Sequence, residues 1–580
     1  MNDAANNPLR VGNCSGFYGD RLSAMREMLE APDAPGLDVL TGDYLAELTM
    51  LILGRDQMKD PSLGYARTFL RQAEDCMGLA LEKGVRIVAN AGGLNPTGLA
   101  DKLRVVAHGL GLDPAIAHVH GDNLIDRAEA LGLAEGGAKP LTANAYLGAF
   151  GIAAALERGA DIVVTGRVTD ASVVVGPAIA RFGWTPESYD ELAGAVAAGH
   201  VIECGAQATG GNFSGFVFDE RPLGFPLAEI HADGSSVITK HAGTGGAVTV
   251  DTVTAQLVYE VQSQTYLGPD VALHLDSLTL SPDGEDRVRI SGVRGSAPPA
   301  ELKVCVNELG GFRNQMELVL VGLDIDAKAD WVRAQVEAAW AKGRRPESVE
   351  WTLARTDREN AATEEAASCR LRCSVKDPDP QVVGKRFTAP LVELALASYP
   401  GFTMTTPPAP ATPYGVYRAA YVGRSQVTET VVFPDGSTER VPPANTAAGS
   451  ETRGAQAHPA PQPAEAATRR LPLGTFVHAR SGDKGGDANI GLWVADAAAH
   501  PDRVEWLLGF VTPDRVRRLV PEAEELGVEV YPLPNLGAVN VVVRGLLGEG
   551  VAASTRFDPQ AKALGEWVRS RHVDIPEALL

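Results

Sequence analysis

The side chains best suited to catalysis in this sequence cluster between positions 200 and 212. Glu203 is a candidate general acid or base, and the adjacent Cys204 is a candidate nucleophile. A nucleophilic cysteine needs a base, and His200 lies one helical turn earlier, although the flanking glycines are equally compatible with a loop. A buried, inert thiol is the alternative for Cys204. Asn212, after a pair of glycines, is a candidate for substrate binding.

Further polar residues end a series of apolar, β-branched runs in the first third of the chain. Amphipathic stretches long enough for helices lie between most of the runs, which is typical of a parallel sheet with helices on both faces. Ligands of such sheets bind beyond the carboxyl ends of the strands. We therefore expect the turns after these runs to meet at one crevice. With their terminal polar residues, the runs span 9–16, 37–44, 85–93, 116–122 and 161–167.

These turns supply the other candidate site residues. Asp43 and Asp170 are candidate acids, although each is also placed to cap a following helix. Plain structural turns are the alternative for the glycine-rich segments, and the glycines at 12–16 do not have the dinucleotide-binding spacing. The candidates for binding an anion or substrate through backbone amides or side chains are Asn13, Ser15, Gly16, Asn90, Gly92, Gly93, Asn95 and Arg167.

Two further motifs are less complete. His118, His120 and Asp122 resemble part of a binuclear metallohydrolase signature, but Asn123 stands where that signature needs another histidine. Two imidazoles and one carboxylate fall short of a metal site, so we expect no metal. In the charged turn at 481–489, Asp483 and Lys484 either pair with each other or face a ligand at a domain interface.

Composition limits the class of protein. A chain of 580 residues is too long for one hydrophobic core, and a net charge of −21 argues against a nucleic-acid or anionic-membrane surface. The sequence has no apolar run long enough to span a membrane and no signal-peptide pattern at its start. Six scattered cysteines indicate reduced thiols, and we expect a cytoplasmic location.

The pattern along the chain predicts four regions. An α/β core occupies 1–200, an α+β extension 201–440, a Pro/Ala-rich linker 441–470 and a small α+β domain 471–580. Alternating residues predict strands in the extension at 236–240, 248–253 and 287–292. In the last region strands are predicted at 475–480, 488–494, 528–531 and 538–543.

Together these motifs resemble the AtuA family, named for acyclic terpene utilisation in bacteria. The resemblance covers roughly 10–450, and 471–580 resembles the small ferredoxin-like domain that often follows. It implies catabolism of terpenoid or branched acids carried as CoA thioesters, but it supplies no mechanism. The motifs that carry it are at 12–20, 40–47, 90–96, 165–170, 199–204 and 210–213.

From these observations we expect an enzyme of the lyase or hydratase type acting on a branched acyl-CoA or related carboxylate. Glu203 is the first candidate for the base, and Asp170 or Asp43 for the acid. A thioester or amide hydrolase using Cys204 and a non-catalytic subunit that binds acyl-CoA or assembles other enzymes are the alternatives. No cofactor is expected apart from CoA as part of the substrate. The expected partner is a small molecule, and the expected state is a homo-oligomer.

Overall fold

The computed structural model describes residues 7–32, 36–134, 139–216, 219–446 and 467–580. The chain forms two compact units. The larger contains residues 1–307, 417–551 and 558–580, and the smaller contains 308–416 and 552–557. Of the helices in the described ranges, none has the length and apolar character needed to cross a bilayer.

The first 307 residues alternate strands with helices. The helices are α1 (Ala24–Glu30), α2 (Glu47–Lys59), α3 (Arg67–Lys83), α4 (Pro96–Gly109), α5 (Phe150–Glu157), α6 (Ser172–Phe182), α7 (Tyr189–Ile202) and α8 (Val250–Leu257). The strands are β1 (Leu9–Asn13), β2 (Val39–Gly42), β3 (Arg86–Ala89), β4 (Ile116–His120), β5 (Thr142–Ala145), β6 (Ile162–Thr165), β7 (Pro226–Ile230), β8 (Ser236–Lys240), β9 (Thr265–Leu267), β10 (Ala272–His274), β11 (Thr279–Pro282), β12 (Val288–Ser291) and β13 (Arg294–Ser296).

Each of the predicted runs forms a strand of one parallel sheet. The parallel strands lie in the order β1, β2, β3, β6, β4. Side chains alternate between two cores: Ile87 and Ala89 face one, with α1, α3 and α4, whereas Val88 faces the other, with α5, α6 and α7. The predicted α/β class, with helices on both faces of a parallel sheet, is therefore confirmed.

Antiparallel strands extend the sheet on both sides. Strand β7 pairs with β1, and β8, β12 and β11 follow it outward. On the other side β4 pairs with β19 (Thr430–Val432), which pairs with β20 (Thr438–Arg440). The predicted boundary at residue 200 therefore falls within one continuous sheet, because strands from both sides of it share that sheet.

Three local predictions are wrong. The segment 248–253 begins helix α8 instead of a strand, because Thr249 and Thr252 form a capping box. Asp43 does not cap a helix, since α2 begins at Glu47 after Ala46. The three- and four-residue spacing of Ala and Leu predicts a helix from 144 to 158, but only Phe150–Glu157 is helical, and residues 144 and 145 belong to β5.

The smaller unit is built mainly from antiparallel strands. Its sheet has the order β15, β16, β14, β17, with β18 also pairing with β14. Its elements are β14 (Glu301–Val321), α9 (Ile325–Trp340), β15 (Ser348–Ala354), β16 (Ser368–Asp377), α10 (Pro380–Val383), α11 (Lys385–Glu393), β17 (Thr403–Met404) and β18 (Thr412–Gly423), and the ends of β14 and β18 continue into the larger unit.

The last hundred residues form a four-stranded antiparallel sheet in the order β22, β23, β25, β24, beside a β21–β26 pair. Strands form at all four predicted places. The elements are β21 (Thr468–Pro472), β22 (Val477–Lys484), β23 (Asp487–Val494), α12 (Pro501–Phe510), α13 (Pro513–Leu519), β24 (Val528–Leu533), β25 (Ala538–Val543), α14 (Leu564–Ser570) and β26 (His572–Pro576). Most of the predicted linker, 447–466, lies outside the described residues, and β21 begins at Thr468.

The C-terminal sheet packs against the main core. Trp493 is 1% exposed, lies in the same apolar cluster as α7 and α8, and donates from Nε1 to Asp251 Oδ1 at 3.1 Å. Gly491 contacts α8 so closely that an added Cβ would be 2.2 Å from Val258 Cγ2. These contacts make the C-terminal sheet part of the larger unit.

Replacing Trp493 with alanine should therefore destabilise the larger unit, by about 3–5 kcal/mol, as is typical of a buried Trp→Ala change. Thermal unfolding followed by circular dichroism measures the effect. Trp331→Ala, at a side chain 48% exposed on α9, is the matched control and should change the melting temperature little. Equal destabilisation by both variants would contradict this packing.

Candidate active site

The end of β1 is bound to the end of α7. The Asn13 side-chain Nδ2 donates to the carbonyl oxygens of Ile202 at 2.8 Å and Glu203 at 2.9 Å. At Gly16 an added Cβ would lie 2.5 Å from the Cys204 carbonyl carbon, so only glycine allows this close approach. The turn after β1 thus fixes the backbone of Glu203 and Cys204, and Asn13 acts as a positioning residue there.

Asp43 joins the turns after the first three strands. Its backbone N–H donates to Ser15 O at 2.9 Å, and its carboxylate accepts from Asn90 Nδ2 and, at 3.2 Å, from Leu45 N. Burial and the neighbouring carboxylates of Asp170 and Glu203 raise the pKa of Asp43 well above its usual range. Burial therefore disfavours the ionised form of Asp43.

Arg167 and Asp170 form a buried ion pair after β6. Arg167 Nη1 donates to Asp170 Oδ1 at 2.6 Å and to Leu45 O at 3.3 Å, and its guanidinium carbon lies 4.2 Å from the centre of the Tyr146 ring. Arg167 is 2% exposed, whereas the Asp170 side chain is 23% exposed. Asp170 is thus the member of the pair that a ligand can reach.

Glu203 and His200 form the second buried pair. His200 Nδ1 lies 3.2 Å from Glu203 Oε1, and the other ring nitrogen is 3.1 Å from the carbonyl oxygen of Tyr259. Glu203 is 5% exposed, and within the described part of the chain its Oε2 has no hydrogen-bond partner. Burial raises the pKa of Glu203 to about 7, although the His200 charge lowers it. Such a carboxylate can accept and return a proton near neutral pH.

Residues that the sequence analysis did not select add to this buried group of charged side chains. Glu47 Oε1 accepts from Tyr146 Oη at 2.7 Å and lies 3.2 Å from Lys303 Nζ. Burial alone would raise the pKa of Glu47, but the Lys303 and Arg167 charges hold it below its usual range. The Tyr266 ring lies 4.8 Å from the His200 ring. Glu47 falls within the 40–47 motif of the resemblance, whereas no sequence signal marks Tyr266.

The β22–β23 hairpin and the segment before α14, both in the C-terminal region, place more charged side chains near Glu260. Lys562 Nζ donates to Tyr259 Oη and lies 3.4 Å from Glu260 Oε1 and 4.0 Å from Asp483 Oδ1. Burial and the Glu260 charge raise the pKa of Asp483 to about 7. Lys484 Nζ lies 3.9 Å from Glu260 Oε2. The charged turn singled out in the sequence therefore faces the core.

Cys204 does not have the surroundings of a nucleophile. Burial, together with the charges of Glu203 and Glu260, raises the pKa of the Cys204 thiol well above its usual range. Its neighbours are thus anionic, whereas a reactive cysteine needs a cationic environment that stabilises the thiolate.

Several other candidates serve local structure. Asn95 caps α4 by accepting from Gly98 N at 2.9 Å, and its Nδ2 donates to Ser62 O at 3.1 Å. Added Cβ atoms at Gly92 and Gly93 would clash with Thr165 O and Leu53 Cδ1 respectively. Asn212 is exposed in a left-handed conformation at φ 56°, and Ser15 Oγ donates to Phe17 O at 3.0 Å.

The side chains of the incomplete metal motif also make hydrogen bonds within the fold. His118 Nε2 lies 3.0 Å from Thr97 Oγ1, and Asp122 Oδ2 accepts from Asn144 Nδ2 at 2.7 Å and from Arg167 N at 2.9 Å. Among the described residues no three His, Cys, Asp or Glu side chains are grouped as a metal site would require.

Comparison with protein families gives two matches. Residues 9–433 match the model of the acyclic terpene utilisation family protein AtuA, and residues 471–574 match the AtuA ferredoxin-like domain. Comparison with curated proteins gives no match.

The environment of Cys204 leads to a labelling prediction. In the native protein iodoacetamide should modify Cys204 much more slowly than free cysteine at pH 7.5, because the raised pKa leaves little thiolate. Peptide mass mapping after timed labelling measures the rate, and labelling in urea is the control. Labelling as fast as that of a free thiol would contradict the assignment and favour the hydrolase alternative.

Asp43 leads to a stability prediction. A carboxyl whose pKa is raised by folding stabilises the fold below its unfolded pKa of about 3.9, and that contribution is lost as pH rises through the folded value. Asp43→Asn should therefore increase the melting temperature relative to wild type, and the gain should be larger at pH 8 than at pH 5.

Thermal melts at both pH values test this. Asp113→Asn, at an exposed position, is the control and should show no such trend. A destabilised Asp43→Asn protein at pH 8 would contradict a raised pKa of Asp43 in the folded state.

Proposed function

The chain belongs to the acyclic terpene utilisation family AtuA, and on that premise we propose that it is a lyase or hydratase acting on a branched or terpenoid acyl-CoA or a related carboxylate. The family description suggests the metabolic role, and the crevice supports the chemistry. The observation that carries the proposal is Glu203, a buried carboxyl group with a pKa of about 7, near Asp43, whose pKa burial also raises well above its usual range. One group is suited to accept a proton and the other to donate one.

The reaction proposed for these groups is the reversible loss of water from a β-hydroxyacyl compound. Glu203 Oε2 takes the proton from the α-carbon, and the C–H electron pair forms the α,β double bond. The β-hydroxyl then leaves with the proton of Asp43, so that one water molecule is released. In the hydration direction each proton moves back to the group that gave it. No oxidant or reductant is needed.

The other residues have supporting roles in this proposal. His200 holds Oε1 of Glu203, which leaves Oε2 for the substrate. Arg167 binds the carboxylate of Asp170, and the charge of that carboxylate contributes to the raised pKa of Asp43. The thiol of Cys204, kept protonated by its anionic neighbours, has no chemical step. This arrangement disfavours the cysteine hydrolase. We propose that the enzyme acts in the cytoplasm as a homo-oligomer.

Glu203→Gln tests the base. Glutamine keeps the volume and the contact to His200 but can neither accept the α-proton nor return it, so turnover in either direction should fall by about 10²–10⁴-fold, as is typical of losing a general acid or base. Hydration of 3-methylcrotonyl-CoA and related branched enoyl-CoAs, followed by loss of the enoyl thioester absorbance, measures turnover. Glu74→Gln, at an exposed glutamate, is the control and should retain wild-type activity.

The pH dependence gives a second readout. For wild type, kcat/KM in the hydration of these substrates should show a titration near pH 7, the pKa of Glu203, and that titration should be missing from the residual activity of Glu203→Gln. In the dehydration direction, the rate should rise with pH through this value. Undiminished turnover by Glu203→Gln would rule out Glu203 as the base. If the wild-type protein binds the branched enoyl-CoAs but turns none of them over, a non-catalytic acyl-CoA-binding subunit would be favoured.

A further inference from the structure

An acyl-CoA or carboxylate substrate is an anion, and the crevice of the main core is acidic. Arg167, which follows β6, is 2% exposed, and its guanidinium already donates to Asp170 and to the carbonyl oxygen of Leu45. Lys303 is paired with Glu47. The backbone amides proposed from the sequence are also engaged, since Gly16 N donates to Asp20 and Gly93 N to Asn90 O. The substrate anion therefore needs another partner.

The tip of the β22–β23 hairpin is held rigidly at this crevice. An added Cβ at Gly482 would lie 2.4 Å from the Tyr259 ring, and one at Gly485, which has a φ of +68°, would lie 2.7 Å from the Tyr417 ring. Behind the tip, Asn489 Oδ1 accepts from the backbone N–H of Glu260 at 2.7 Å. The hairpin thus places the two residues between these glycines, Asp483 and Lys484, with little freedom of their backbone.

Lys484 differs from its neighbour Lys562 in how it is bound. The Lys562 ammonium donates to the Tyr259 hydroxyl and is within 3.4 Å of Glu260 Oε1. Lys484 Nζ lies 3.9 Å from Glu260 Oε2, which is too long for a hydrogen bond, and its side chain is 24% exposed. The positive charge of Lys484 also lowers the pKa values of Glu47 and Glu203. Glu260 directly follows Tyr259, whose carbonyl oxygen contacts His200, the partner of Glu203. The Lys484 ammonium therefore lies near the His200–Glu203 pair.

We infer that Lys484, supplied by the C-terminal domain, binds an anionic oxygen of the substrate beside Glu203, either a carboxylate or a CoA phosphate. The inference rests on the proposed function because it assigns a substrate-binding cation to the same crevice. A charged hydrogen bond of this kind holds a ligand strongly where water is largely excluded. The C-terminal domain then completes the binding site as well as packing against the core.

Isothermal titration calorimetry of the full-length protein tests the inference with two probes, 3-methylglutarate for the carboxylate and free coenzyme A for the phosphate. Lys484→Met should weaken binding of one probe by about 10- to 100-fold, the range expected for losing a hydrogen bond between charged groups. Lys484→Arg should retain most of the affinity, and Lys102→Met, at an exposed lysine, should bind as wild type does. The probe whose affinity falls identifies which anion Lys484 holds.

A measurement on the wild-type protein tests the inference even if the Lys484→Met variant misfolds. Reductive methylation with and without the bound probe, read by peptide mass mapping, should show Lys484 protected and Lys102 unprotected. Unchanged affinity of a folded Lys484→Met protein, lack of protection, or binding of neither probe by wild type would overturn the inference. Glu203→Gln should lose turnover while keeping probe binding, so failure of the base and failure of Lys484 are separate results.

Discussion

Burial of acidic side chains in one crevice is the constraint on which the site depends. A carboxylate removed from water must gain a cation, gain hydrogen bonds or keep its proton, because its desolvation otherwise costs several kcal/mol. Three of the carboxyl groups are paired with a basic side chain: Glu47 with Lys303, Asp170 with Arg167, and Glu203 with His200. Asp43 accepts hydrogen bonds from Asn90 and Leu45, and burial raises its pKa.

This distribution of charge follows from the architecture. The carboxyl ends of parallel strands gather the turns that carry Asn13, Asp43, Asn90 and Arg167, and the end of α7 adds Glu203. The parallel sheet alone would leave that edge with an excess of negative charge. Lys303 on β14 and the lysines of the C-terminal domain offset it. The ferredoxin-like domain therefore adds positive charge beside these acids as well as packing against the core.

The sequence predicted the sheet because its signal is local. A β-branched run that ends in glycine and a polar residue forms a buried parallel strand, and this pattern located the turns that carry Asp43, Asn90 and Arg167. Local signals also caused the errors: the alternation at 248–253 resembles a strand, but the hydroxyls of Thr249 and Thr252 cap a helix there. The roles of Asp43 and Glu203 in chemistry stay predictions.

The residues that sequence reasoning missed share a different property, since their importance comes from partners distant along the chain. Glu47 matters because Lys303 lies beside it, and Tyr266 because its ring lies 4.8 Å from the ring of His200, a residue on a different element. Neither pairing leaves a periodicity or a motif. Spacing along a sequence can identify a strand end, but a pKa is set by charges that only the fold brings together.

The same desolvation has opposite consequences for stability and for chemistry. It disfavours the charged form of Glu203 and so opposes folding at neutral pH, yet it moves the pKa of that carboxylate to about 7, where a base is most useful. The Asn13 amide and the close approach at Gly16 hold the backbone of this segment in place despite that cost. Neutral contacts thus maintain the geometry, while the buried charges are left to set the protonation on which the proposed chemistry depends.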